Sequence, residues 1–281
     1  MHHDFWIQKN SKERGTLIMA NELKIIGTKM EDKYKEIIAS EFEKCINGTI
    51  KRLKNEETYR PFHSALLSQE ALFWSRFERS FSTSFGQRVI EQISKVAALS
   101  NKATEAVNQK ATIVNLSSSQ YAAIENHISD IRSRKLGRAP NWNADLASVN
   151  ANKATGTIEP GRVISDLWWV KDGINHYMSI KTVKPNIDQS AEAKRDLLKL
   201  KLNDPKCLVY YGLYYNPYGE NRADYAWSPP MGVFDFRKDS VVLIGQNYWD
   251  TLGGAGFYEQ VLAIAEEVGS VTRLLVGALN Q

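Results

Sequence analysis

Apolar residues return at helical intervals across residues 21–53. There Ile25, Met30, Ile37, Ile38, Phe42, Cys45 and Ile50 predict a helix interrupted near Gly27 and Gly48. Pro61 follows a charged stretch and marks entry to the main domain. A helix or helix pair is expected over 64–98, with a break around 82–86. In its second half Val89, Ile90, Ile93, Val96 and Ala97 form a core-facing stripe. Ser117, Ser118 and Ser119 offer hydroxyl caps to a further helix, whose apolar stripe is Tyr121, Ile124, Ile128 and Ile131.

The period then changes. Residues 162–170 are rich in Val, Ile, Leu and Trp, and residues 174–183 alternate apolar with polar. Asp172-Gly173 stands between them, a pair that favours a close hairpin because glycine accepts positive φ. A helix follows, for which Asp188 is a possible cap, with Gln189 and Glu192 three apart on one face. The run CLVYYGLYY at 207–215 reads as a buried central strand. A long loop at 216–230, strands at 233–236 and 241–244, and a glycine-rich turn at 247–256 come next. The last expected element is an amphipathic helix over 257–268, with Phe257, Val261, Ile264, Ala265 and Val268 inward. Strand and helix periods mixed in this way predict an α/β fold.

Composition narrows the class without fixing it. The 281 residues can bury a large core, and a net charge of +4 permits contact with an acidic polymer. Cys45 and Cys207 provide neither a disulfide framework nor zinc spacing, so a reducing cytoplasm is expected. No apolar run has membrane-spanning length, the first residues lack the apolar core of a signal peptide, and Met19 is an alternative start. Phosphate-cradling glycine loops and paired histidines at metal-ligand spacing are absent from the sequence.

The hairpin carries the candidate chemistry. Side chains two apart on a strand share a face, so Ser179 and Lys181 point the same way, and Asp166 on the other arm can meet them. Asp166 and Glu192 could hold a magnesium ion together with the backbone carbonyl of Ile180, since hard cations prefer oxygen ligands. Lys181 would face the attacking water in a metal-assisted phosphodiester hydrolysis. Taken alone, an Asp followed by Ser-x-Lys occurs in many unrelated chains. His176 sits on the strand face opposite Lys181, which argues for packing or solvent rather than catalysis.

The order of elements resembles the PD-(D/E)XK nuclease core: helix, hairpin with Asp on its second strand, lysine on its third, then a helix. The phrases FERSFSTSFGQRVIEQISKVAA at 77–98 and SIKTVKPNIDQSAEAKRDLL at 179–198 more specifically resemble TdeIII-type type II restriction endonucleases. Ser179 stands where that superfamily usually has Asp or Glu. The resemblance implies that the following helix supplies the missing carboxylate, from Glu192 or else Gln189 or Asp196. It also makes Glu91, on the first core helix, a candidate metal ligand, against the plain reading of a solvated helix glutamate. It further implies a fold with a central mixed sheet flanked by helices, magnesium, double-stranded DNA as substrate, a short palindromic site such as GGNCC, a homodimer, and a cognate DNA methyltransferase in the same system. A structure-selective or repair nuclease and a catalytically silent DNA-binding module are the alternatives.

The expected organisation is a helical N-terminal arm at 1–60 and a nuclease domain at 61–281 with an inserted segment at about 117–157. Arg132, Arg134, Lys135 and Arg138, followed by Asn141 and Asn143, suit DNA contact, because Arg reads guanine and Asn reads adenine bidentately in the major groove. Basic residues at a helix end also complement the helix dipole. Lys184 and Arg222 complete the candidate DNA contacts.

Overall fold

The computed structural model describes residues 29–55, 59–152 and 154–280. The expected start of the first helix, with Ile25 and Gly27, and Met19 lie outside the described residues. Helix α1 (Asp32–Asn55) runs without a break at Gly48. After α2 (Pro61–Leu66), helix α3 (Gln69–Ser84) passes through a π-helical turn (Phe85–Val89) into α4 (Ile90–Ser100). The interruption expected around 82–86 is that π turn.

Five strands form one sheet in the order β1-β2-β3-β4-β5. They are β1 (Glu105–Ser117), β2 (Ile158–Lys171), β3 (Ile174–Lys181), β4 (Leu208–Leu213) and β5 (Val242–Ile244). β1, β2 and β3 pair antiparallel, while β3–β4 and β4–β5 pair parallel. Asp172 and Gly173 both take positive φ, 53° and 74°, as the tight β2–β3 turn requires. A parallel β3–β4 pair needs a crossover, and α7 (Ile187–Asn203) supplies it. Asn186, not Asp188, caps that helix: its side chain accepts from the Gln189 N–H while the Gln189 side chain accepts from the Asn186 N–H. The register explains the correction, since a capping box needs its two members three residues apart.

Helices cover both faces. Ile124, Ile128 and Ile131 of α5 (Ser118–Arg132), Trp142 and Val149 of α6 (Trp142–Asn150), and the α7 leucines bury one face with Val163, Trp168 and Tyr211. Ser117 caps α5 in a capping box with Gln120. The other face is buried by α1, α4, α8 (Gln246–Gly253) and α9 (Phe257–Gly277), around Leu167, Trp169, Met178 and Ile180. Within the expected insertion, α5 and α6 therefore lie against the sheet. The mixed sheet flanked by helices, with a helical N-terminal region, agrees with the restriction-endonuclease-like expectation.

Two local expectations are corrected and one element is new. Residues 247–256 are largely helical, because Tyr248, Trp249 and Leu252 share one buried face. Residues 233–236 are buried but irregular, pinned by Asp235 and Asp239 turn bonds rather than strand pairing. Finally, β1 was not anticipated at all. Gly212 on β4 lets the Tyr248 ring approach closely, as a Cβ there would sit 2.5 Å from it. Tyr248 in turn shares a hydrogen bond with Ser94, joining α8 to α4.

Candidate active site

β1 and β2 both change phase at one rung. Toward the hairpin turn, Ala106, Leu167 and Trp169 face the α4 side, and Val107 and Trp168 face the opposite side. Beyond the rung the alternation is reversed, so that Val114, Leu116 and Val163 all face the α5–α7 side. Asn108↔Leu167 and Lys110↔Ser165 are paired, and the rung between them holds Gln109 opposite Asp166. Gln109 takes φ 53°, a left-handed conformation that turns a strand over within one residue.

Pairing between β2 and β3 stops at Leu167↔Met178, one residue short of Asp166. The two strands part there, and the Asp166 carboxylate fills the opening. Its Oδ2 accepts from the Ile180 N–H at 2.7 Å, from Ser179 Oγ at 3.3 Å, and from Lys181 Nζ at 3.5 Å. Its Oδ1 accepts from the Gln109 side-chain amide at 3.3 Å. The same amide nitrogen donates to Glu91 Oε1 at 3.0 Å. Glu91 reaches this point from the first turn of α4, immediately after the π turn. Such turns shift the side-chain register and recur at functional sites.

The side chains of Asp166 and Lys181 are only 20% and 25% exposed, so their charges face each other with limited solvent screening. Burial pushes the Glu91 carboxyl above the usual range. The Gln109 hydrogen bond opposes that rise, and the nearby Asp166 charge adds to it. Both carboxylates therefore converge on one point at which positive charge relieves them, a donor set that suits a hard divalent cation. No cluster of three or more His, Cys, Asp or Glu at metal-holding separation exists among the described residues, so further ligands would be carbonyl, water or phosphate oxygens.

The other candidate residues fall elsewhere. Glu192 is exposed on α7, and among the described residues it makes no hydrogen bond or ion pair with Asp166 or Lys181. Gln189 is occupied in the α7 capping box, and Asp196 pairs with Lys199. Arg132 pairs with Asp188, and Arg138 with the buried Asp145. Asn141 caps α6 through the Ala144 N–H, while Arg134, Lys135 and Asn143 are exposed. Arg222 donates to the carbonyls of Phe236 and Asp239, which ties the 216–230 loop down. Lys184 lies 5.5 Å from the Tyr218 ring and 5.6 Å from the Trp227 ring. Those aromatics belong to the same loop, whose Tyr225 hydroxyl and Trp227 indole donate to the carbonyls of Val183 and Pro185 just beyond Lys181. His176 stacks with Trp169 and Tyr210, the packing alternative of the two its strand face allowed.

Gln109 escaped the sequence reading. Its signal, a polar residue inside an unrecognised strand, looks like any exposed strand position until the partner strand is known.

Comparison with known proteins identifies a family. The family model for the type II restriction endonuclease HinfI matches residues 30–269. The type II restriction enzyme HgiEI of Herpetosiphon aurantiacus is 31% identical over 241 residues, which cover 84% of this chain and 86% of that protein. HgiCII of the same organism is 30% identical over 229 residues, or 80% and 82% of the two chains. HgiBI is 31% identical over 222 residues, or 77% and 80%. No solved structure matches the chain significantly. The expected resemblance to type II restriction endonucleases is borne out, with HinfI as the matching family model. The chain belongs to the HinfI family of type II restriction endonucleases, site-specific deoxyribonucleases.

Proposed function

We propose that this enzyme cuts double-stranded DNA at a short palindromic site, with GGNCC as the first sequence to try, using magnesium held by Asp166 and Glu91. The observation that carries this reading is the convergence of Asp166, Lys181 and Glu91 at the opening between β2 and β3. The Ile180 carbonyl is a further donor in reach of the same strand end. Magnesium bound there would polarise the scissile phosphoryl group and lower the pKa of a bound water.

The chain's own groups do the rest. The Ile180 N–H and Ser179 hydroxyl fix one oxygen of Asp166, leaving the other toward Glu91. Lys181 Nζ, at the edge of the opening, orients the attacking water and offsets negative charge growing on the phosphoryl oxygens. Glu192, Gln189 and Asp196 are secondary candidates for a metal-side carboxylate or ligand. Exposed Arg134, Lys135, Asn143 and Lys184 suit contact with phosphates and base edges, and Arg132 joins them if it releases Asp188.

A palindrome read and cut on both strands favours a two-fold homodimer, with a methyltransferase of matching specificity guarding the host DNA in the cytoplasm. Among the described residues no helix is long and apolar enough to cross a membrane. Digestion of a sequenced plasmid with magnesium, followed by end mapping, tests the reading. Discrete fragments whose ends share one palindrome are expected. Cleavage at junctions or lesions regardless of sequence would move the enzyme to a structure-selective class.

A further inference from the structure

We propose that Gln109 is a positioning residue, whose side-chain amide gathers the Glu91 and Asp166 carboxylates at one cation-binding point. The inference rests on the nuclease reading above and deepens it.

A single nitrogen, Gln109 Nε2, stands 3.0 Å from Glu91 Oε1 and 3.3 Å from Asp166 Oδ1. Two carboxylates on different elements would otherwise repel each other; the positive end of an amide dipole between them holds both in place. The backbone is arranged for this purpose. A glutamine at φ 53° in a strand is unfavourable, and such conformations persist where surrounding structure over-determines them, commonly at functional sites. The neighbouring Asn108 repeats the sign of local cost: both polar atoms of its side-chain amide are buried without a hydrogen-bond partner. A strand selected only for stability would carry glycine or asparagine at the turned-over position and an apolar residue beside it. Here the left-handed turn instead aims a long amide into the opening, and Gln109 is exposed enough for cation and phosphate to reach the same point.

The test uses the full-length protein and manganese as the probe, followed by electron paramagnetic resonance without DNA. Gln109→Gly accepts the left-handed backbone freely, so its Tm should not fall below wild type, yet it lacks the amide. Its manganese affinity should drop about 10–100-fold, the range for partners that orient a metal ligand. In cleavage, kcat should fall at saturating DNA with KM for DNA unchanged. Gln109→Asn also tolerates this backbone and is too short to span both carboxylates, so it provides the same comparison should the glycine variant unfold. Wild-type manganese affinity in these variants would overturn the inference while the nuclease reading stands. A wild-type protein that neither binds manganese nor cuts DNA would overturn both.

Discussion

Lys181 Nζ lies 3.5 Å from Asp166 Oδ2 although fourteen residues and a chain reversal separate the two positions. The β2–β3 hairpin, closed by Asp172-Gly173, brings them together, and its pairing stops at Leu167↔Met178, one residue short of Asp166. Lys181→Ala should lower kcat by on the order of 10²–10³-fold, the usual cost of one preorganised charge-stabilising donor. DNA binding in calcium, measured by gel shift, should persist. Full cleavage by the purified variant would remove Lys181 from the chemistry.

Glu91 and Glu192 make opposite forecasts. Glu91→Gln should reduce magnesium-dependent cleavage by more than the ~100-fold typical of an outer-shell partner. Glu192→Gln should leave it unchanged, since that side chain is exposed on α7. Steady-state rates across a magnesium titration decide between them. The reverse pattern would place the second carboxylate on α7, as the family resemblance implied.

His176 should make the fold acid-sensitive. Burial between Trp169 and Tyr210 depresses its pKa from 6.5 to about 4. Above pH 6.5 neither folded nor unfolded His176 is protonated, and its contribution to stability is fully present. As pH falls from 6.5 toward about 4 the unfolded chain takes up the proton first, so stability declines. His176→Phe should keep the stack and flatten that decline in urea midpoints measured across this window. An unchanged pH slope would show that His176 is not held neutral.

A second charge group serves the fold instead of the chemistry. Asp145 is fully buried and pairs with the equally buried Lys194, with Arg138 and His127 alongside. Burial alone would raise the Asp145 pKa, but the adjacent His127 ring and the Lys194 charge outweigh it and hold the carboxyl well below its usual range. Asp145→Ala strands the Lys194 ammonium in the core and should cost about 3–5 kcal/mol. Arg138→Ala, which removes a partly exposed partner, should cost less. Equilibrium urea unfolding measures both, and equal losses would contradict the assignment of Lys194 as the stranded charge.

How far the sequence could be read depended on the physics of each segment. The β2–β3 hairpin was legible because alternation and Asp172-Gly173 agree, and strand period together with that turn brings Asp166 and Lys181 to one face. The stripe running from the π turn into α4 was legible because Val89, Ile90, Ile93, Val96 and Ala97 all turn inward. β1 was not, since its alternation reverses at Gln109 and neither half is long enough to register. The partners of Arg138 and Arg222 were not legible either, because a sequence does not reveal that a buried aspartate and two loop carbonyls engage them. Periodicity alone showed Glu91 as one glutamate beside a stripe, and the family resemblance made it a candidate ligand; its approach to Asp166 depends on the π turn and on a strand partner far along the chain.

Single-turnover cleavage by Asp166→Asn is the most direct measurement of the proposed centre. The exchange keeps the side chain's size and can still accept from the Ile180 N–H, so the hairpin should fold. We predict loss of magnesium-dependent cutting with specific DNA binding retained in calcium. Cutting at the wild-type rate would show that phosphodiester hydrolysis takes place without this carboxylate, and the centre described here would not be the active site.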